Sequence, residues 1–306
     1  MFGLSCFFTT LFATYILYRI YRGCREYIHV LFGCKGEDIT KHGTWAVVTG
    51  ATNGMGYEYC HALAKMGLNV VLISRNMEKL ENVATELEKD YDIETMVLQY
   101  DFTNSKLANY EEKLSKPLTE LDNVAILVNN VGISYNGMKT FSELDNQFLL
   151  DIVNVNVVSM LMVTKYVLPN MMKRNKGIIL NMSSVSALIE MPYLTAYSAS
   201  KSFVNCYSVG LSRELHKTNI IVECVSPSFI AGKMSGIKKP SLMVPSNTQM
   251  INQILNSIGI CYKWTNGWFP HFLQYLHVYL PESVKVYFYN KGHIKSKAYM
   301  LRKKNR

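Results

Sequence analysis

The run Tyr197-Ser198-Ala199-Ser200-Lys201 sets a phenol and an amine four residues apart. On a helix that spacing places both on one face. A phenol ionises only at about pH 10 in water, too high for proton exchange near neutrality, and an adjacent ammonium favours the phenolate. A tyrosine and lysine so paired can pass a proton to or from an oxygen. Hydroxyls stand upstream in Asn181-Met182-Ser183-Ser184, where a serine can hold the same oxygen. Tyr193 has no lysine four residues after it and lacks the pattern.

A second constellation, Thr49-Gly50-Ala51-Thr52-Asn53-Gly54-Met55-Gly56, joins an apolar run to a helical one. In a strand–turn–helix setting, such glycines permit a tight turn and let the backbone approach a pyrophosphate at the helix N-terminus. The next strand ends in Ser74-Arg75. Dinucleotide sites that take NAD place a carboxylate there for the ribose 2′-hydroxyl, whereas a guanidinium suits a 2′-phosphate. Arg75 therefore points to NADP(H).

These positions need a frame. Apolar runs predict strands at Trp45–Thr49, Val70–Ser74, Thr95–Tyr100, Val124–Asn129, Gly177–Met182 and Ile220–Val225. Helices are expected at Tyr57–Met66 with Gly67 as C-cap, Met77–Tyr91, Asp145–Lys173 with Pro169 near its end, and Ala196–His216. The alternation predicts an α/β fold, a Rossmann-type doubly wound parallel sheet in a single catalytic domain. Such sheets bind ligands beyond the carboxyl ends of their strands, and both constellations follow strand ends.

The TGxxxGxG spacing, the serine pair and the YxxxK run together resemble the short-chain dehydrogenase/reductase family. The resemblance selects among residues. Ser184, thirteen positions before Tyr197, sits at the family's usual separation and is preferred to Ser183. Asn156 falls at the family's fourth catalytic position by its distance to Pro169, with Asn154 as the alternative. The resemblance implies cofactor contacts from Gly50, Thr52, Asn53, Gly54, Met55 and Gly56, and from Asp101 beside the adenine. It adds Asn129 in Asn129-Asn130-Val131-Gly132, Tyr197, Lys201, and Ile230 in the segment Pro227–Met234. That segment is similar to the family's nicotinamide loop. Gly232 replaces its usual threonine, so one carboxamide hydrogen bond is expected to be lost or supplied by backbone.

Within the family the chain most resembles the membrane-bound 17β-hydroxysteroid dehydrogenase/very-long-chain 3-oxoacyl-CoA reductase group. The stretches are Gly67–Arg75, Ile126–Gly132, Lys176–Ser184 and Trp264–Gly267. The resemblance implies hydride transfer from NADPH to a ketone carbon, with Tyr197 donating a proton to the alkoxide. Ser184 hydrogen-bonds the same oxygen and is the expected substrate contact. Lys201 holds the nicotinamide ribose and lowers the tyrosine pKa, and Asn156 fixes a water that reloads the proton. Phe229, Met234, Leu242, Met243 and the aromatic stretch Trp264–Tyr279 predict a lipophilic substrate, a 17-ketosteroid or a long-chain 3-oxoacyl-CoA. The aromatic stretch reads equally as ordinary core and surface helix. A second functional reading is a scaffold member that holds NADP(H) without turnover. The intact Asn156, Ser184, Tyr197 and Lys201 argue against it.

Composition bounds the rest. Hydrophobic residues make up 49% and charged residues 18% of the 306, with a formal net charge of +9. Basic residues gather in the flanks and no nucleic-acid motif accompanies them, so a nucleic-acid partner is not expected. The seven cysteines form no CxxC pair, and neither they nor the seven histidines have metal-ligand spacing. Cys60, Cys206 and Cys224 lie among apolar residues, as small hydrophobes do. The residues from Phe2 to Tyr18 carry no charge and are followed by Arg19, Arg22 and Arg25. This reads as an uncleaved membrane anchor with the body in the cytosol. Lys303 and Lys304 resemble a dilysine retrieval signal, which predicts the endoplasmic reticulum membrane. The expected layout is an anchor and basic flank at 1–25, a linker at 26–42, the catalytic domain at 43–260 and an aromatic, basic extension at 261–306. A homodimer is left open.

Overall fold

Val, Ile and Leu runs, which favour extended backbone, form a seven-stranded parallel sheet. Its strands are β1 (Trp45–Thr49), β2 (Asn69–Ser74), β3 (Thr95–Gln99), β4 (Val124–Asn129), β5 (Gly177–Met182), β6 (Ile220–Val225) and β7 (Lys263–Trp264). Their order is β3-β2-β1-β4-β5-β6-β7, and every pairing is parallel. The structure, a computed structural model, describes residues 7–18, 21, 36–188, 191–227, 230–231, 239–241, 244–260, 263–264 and 280–304. The helices are α1 (Phe7–Tyr18), α2 (Gly54–Ala64), α3 (Met77–Tyr91), α4 (107–119), α5 (Asn146–Arg174), α6 (Thr195–Glu214), α7 (Asn247–Asn256) and α8 (Glu282–Lys304).

Both faces of the sheet are covered, which is why its central strands are apolar throughout rather than alternating. Ala46 and Val48 pack with Tyr59 and Leu63 of α2, Leu80 and Leu87 of α3, and Ile251 and Ile254 of α7. Val47, one residue between them, faces the other layer with Leu114 of α4, Val163 and Met171 of α5, and Leu211 of α6. The strand order reverses between β1 and β4, so the loops that leave these two strands splay apart and open a crevice.

The predicted elements stand, with small shifts at their ends. Helix α2 begins at Gly54, three residues ahead of the expected Tyr57, so its first turn includes the glycine loop. An 18-residue stretch of helix α5 has a mean hydropathy of 1.6, which alone would let it cross a membrane. Its Ile152, Val155, Val163 and Val167 are buried, so it is a core helix. Cys60 and Cys224 are buried, but Cys206 is exposed. Helix α6 buries Ser198, Lys201, Val204, Ser208 and Leu211, and position 206 falls on its opposite face.

The end of the expected linker is fastened to the body. Gly36 N–H donates to Asn256 O and Glu37 N–H to Ile258 O, at 2.8 and 2.7 Å. Within the expected C-terminal extension, α8 is a helix the sequence reading did not anticipate. Helix α1 is exposed along its whole length, including Phe7, Leu11, Phe12 and Leu17.

Candidate active site

The crevice is built from two strand ends. Gly50 closes β1 with φ 68°, in the left-handed region that a glycine enters without strain. A side chain at Gly56 would run into the Gly50 carbonyl, so this glycine lets the first turn of α2 lie against the loop. Asn130, after β4, braces it. Its Nδ2 donates to Thr49 O at 2.9 Å, while its own N–H and that of Val131 donate to Thr49 Oγ1. Thr52 Oγ1 lies 3.0 Å from Ser74 Oγ, which ties the loop to the end of β2. Arg75 follows with its side chain exposed. Asn53 and Gly54 are exposed and Met55 half-buried at the N-terminus of α2.

Two expected cofactor residues are engaged locally. Asp101 Oδ1 accepts from the N–H and the hydroxyl of Thr103, each at 3.0 Å. Asn129 Nδ2 donates to Thr164 Oγ1 at 2.9 Å and Asn181 Oδ1 at 2.8 Å, beneath the crevice. Asn181 in turn donates to Ser208 Oγ. This buried chain locks β4 and β5 to α5 and α6 through the Asn129 Nδ2. Ile230 packs half-buried against the core. Phe229, Gly232, Met234, Leu242, Met243 and the stretch 265–279 lie outside the described residues.

The four expected catalytic residues converge from three elements. Tyr197 and Lys201 share one face of α6, with Lys201 Nζ 5.9 Å from the centre of the Tyr197 ring. Lys201 is buried and donates to Met182 O at 2.8 Å. A Cβ at Gly132 would lie 3.2 Å from Lys201 Nζ and 3.3 Å from Asn156 Oδ1, so glycine leaves room for both. Asn156 sits in a π-helical turn of α5, Asn154–Val158, the kind of local widening that often marks a functional site. Its Nδ2 donates to Ser200 Oγ, and that hydroxyl donates to Tyr197 O at 2.7 Å. Asn154 turns elsewhere, donating to Thr103 O.

The adjacent serines have separate tasks. Ser183 Oγ donates to the Lys201 carbonyl at 2.9 Å and is buried. Ser184 Oγ accepts the Ser186 N–H at 3.2 Å, and its hydroxyl acts on the Tyr197 phenol from the end of β5. Burial pushes that phenol above its ordinary value, and the Ser184 hydroxyl pulls the other way. The expectation of a lowered tyrosine pKa is thus reversed, because removal from water dominates. The phenol is protonated at neutral pH and ready to donate. Burial lowers Lys201 to about 8, so its amine still carries a proton near neutrality.

Sequence reasoning missed three supports. Tyr135 accepts the Ala196 N–H on its hydroxyl at 2.9 Å and steadies the first turn of α6. Ser200 relays Asn156 to α6, and Asn130 braces the glycine loop. Ser200 lies inside the YxxxK run and Asn130 inside the Asn-Asn run, so both were in view without a role. Tyr135 carried no signal.

An open parallel sheet with a glycine loop at its switch point, and a tyrosine–lysine pair across the crevice, defines a Rossmann-type oxidoreductase that takes a nicotinamide cofactor. The chain belongs to the short-chain dehydrogenase family, whose sequence pattern matches residues 44–241. It is 41% identical over 274 residues to very-long-chain 3-oxoacyl-CoA reductase-A of Danio rerio, covering 89% of this chain and 83% of that one. It is 39% identical over 235 residues to very-long-chain 3-oxoacyl-CoA reductase of Homo sapiens, covering 76% and 73%. A solved short-chain dehydrogenase from Sphingobium yanoikuyae, in complex with NADPH, shares the fold. The TM-score is 0.65 and the identity 23%, over 73% of this chain and 87% of that one.

Proposed function

We propose that this protein reduces the ketone of a long-chain 3-oxoacyl-CoA to the secondary alcohol, using NADPH. The observation that carries the reading is the intact Ser184–Tyr197–Lys201 arrangement in a chain about 40% identical to reductases named for that substrate. The crevice fits the cofactor. A Cβ at Gly56 would fill the cradle formed by Gly50 and the start of α2, and the free N–H groups there suit a pyrophosphate. Arg75, exposed at the end of β2, supports the 2′-phosphate form. Gly50, Thr52, Asn53, Gly54, Met55 and Gly56 would hold the phosphates, with Asp101, Asn129 and Ile230 along the cleft.

When bound, the nicotinamide supplies the hydride. The chain's own residues do the rest. Ser184 and Tyr197 hold the ketone oxygen between two hydroxyls. Tyr197 gives its proton to that oxygen as negative charge develops. Lys201, buried and cationic, stabilises the phenolate left behind and would hold the nicotinamide ribose. Asn156 anchors the loop after β4 and orders the water that restores the proton.

The exposed apolar helix α1 supports an anchor in a membrane, since such a surface is unstable in water. With Arg19, Arg22 and Arg25 behind it, the catalytic body faces the cytosol, and the lipid-like substrate fits the endoplasmic reticulum membrane. The test is an assay of membranes containing the protein, with NADPH and either a 17-ketosteroid or a long 3-oxoacyl-CoA. Reduction of the acyl-CoA is expected. Turnover of the steroid alone, or of neither, would overturn the reading.

A further inference from the structure

Tyr193 stands in the loop that runs into α6, four residues ahead of Tyr197. Its backbone is left-handed, φ 66°, a conformation that a bulky residue adopts only when its surroundings hold it there. Three contacts do so. Its ring stacks on the His293 imidazole, with centroids 3.8 Å apart and planes within 9°. Its hydroxyl donates to Asn290 Oδ1. Its carbonyl accepts from the Lys139 N–H at 3.0 Å.

Asn290 and His293 belong to α8, so the far end of the chain clamps the approach to the catalytic helix. The same helix reaches the loop after β4, where a Cβ at Gly292 would lie 3.6 Å from Met138 Sδ. Val284, Tyr289, Gly292 and His293 form its half-buried face, while Tyr287 and Ile294 point outward. The two loops that α8 bridges are those bound to the active site. One leads into Tyr197. The other carries Tyr135, which holds Ala196. A cavity of about 300 Å³ opens in that second loop beside Tyr135, Lys139, Leu144 and Phe148.

We infer that α8 is a wall of the substrate cleft, latched by Tyr193, His293 and Asn290, and that this latch sets the enzyme's preference for long acyl chains. The inference rests on the reading of the protein as a 3-oxoacyl-CoA reductase. A short acyl chain ends before it meets α8. A longer one leaves between the two loops and lies along Met138, Val284 and Tyr289, where each buried methylene strengthens binding roughly fourfold. Loosening the latch removes that surface without disturbing the reacting atoms. Tyr193, His293 and Asn290 are positioning residues that touch neither the ketone nor the cofactor.

The test is a series of 3-oxoacyl-CoA substrates, from short to very long, assayed with the full-length protein in membranes. The unmodified protein is compared with the double variant Asn290→Ala/His293→Ala and with His293→Phe. In the unmodified protein KM falls as the chain lengthens. The double variant keeps kcat and its short-chain KM, but its long-chain KM rises roughly tenfold, the equivalent of about two methylene contacts. His293→Phe preserves the stack and keeps the length dependence. An unchanged long-chain KM, or a uniform loss at every length, would overturn the latch while leaving the reductase reading intact. Failure of the unmodified protein on the whole series would overturn both.

Discussion

Asn156 and Ile133 hold each other by two hydrogen bonds. Asn156 Oδ1 accepts from the Ile133 N–H at 2.8 Å, and its Nδ2 donates to the Ile133 carbonyl at 3.0 Å. A side-chain amide thus caps the loop after β4 as another strand would. The shared Nδ2 also reaches Ser200 and, through it, the backbone of Tyr197. Asn156→Ala leaves the N–H and the carbonyl of Ile133 unpaired in a part-buried site. A loss of about 2 kcal/mol or more is expected, lowering Tm by about 5 °C. Thermal melts and turnover of this variant should fall together, and a melt identical to the parent's would remove the bracing role.

Tyr197→Phe keeps the ring in place and removes the transferable proton. The kcat for ketone reduction should drop by about a hundredfold to ten-thousandfold, with NADPH affinity largely retained. Single-turnover kinetics and cofactor titration separate the two effects. Undiminished turnover would assign the acid elsewhere.

The pH profile follows from Lys201. Burial brings its pKa down from 10.5 to about 8. Below that pH the ammonium supports the phenolate that Tyr197 becomes on donating its proton. Above it the amine is neutral and the support is gone, while the phenol, pushed up by burial, stays protonated. The kcat/KM for reduction should therefore be level up to about pH 8 and fall above it. Lys201→Met should lose most activity and show no inflection there. A parent profile without that inflection refutes the assignment.

Arg75→Ala should weaken NADPH binding far more than NADH binding. A charged, two-pronged contact with a phosphate is worth a few kcal/mol at most, so the preference should fall by roughly tenfold to a hundredfold. Fluorescence titration with both cofactors measures it. Equal losses would mean that Arg75 does not read the 2′-phosphate.

Sealed microsomes test the topology. With α1 in the bilayer and the body outside, added protease should digest the catalytic domain without detergent. Protection that yields only to detergent would place the body in the lumen instead. Asn181, within a formal glycosylation sequon, is fully buried in β5, so absence of a glycan would not decide between the two arrangements.

Much of this was legible in the amino-acid sequence, because it depends on local pattern. The bounds of β1, β4, β5 and β6 follow from apolar runs cut off by glycine, asparagine and serine, and a strand buried on both faces has no other way to be written. The Tyr197–Lys201 pairing is set by helix periodicity, and the need for glycine at 50 and 56 by the tightness of the turn. Tertiary structure decided what depends on separate segments meeting. Ser183 and Ser184 are chemically alike, and only the approach of α6 to the end of β5 gives one to the Lys201 carbonyl and leaves the other to act on the phenol. Asn129 stands out by its motif, and only the folded sheet shows that alternation along β4 turns its Nδ2 toward Thr164 and Asn181. The raised phenol pKa reflects water excluded by every neighbouring element together, which no spacing encodes. Helix α8 was the least visible, since its half-buried face shows no clean apolar stripe. Its place is held by Tyr193, about a hundred residues upstream, and a contact at that separation exists only once the chain has closed on itself.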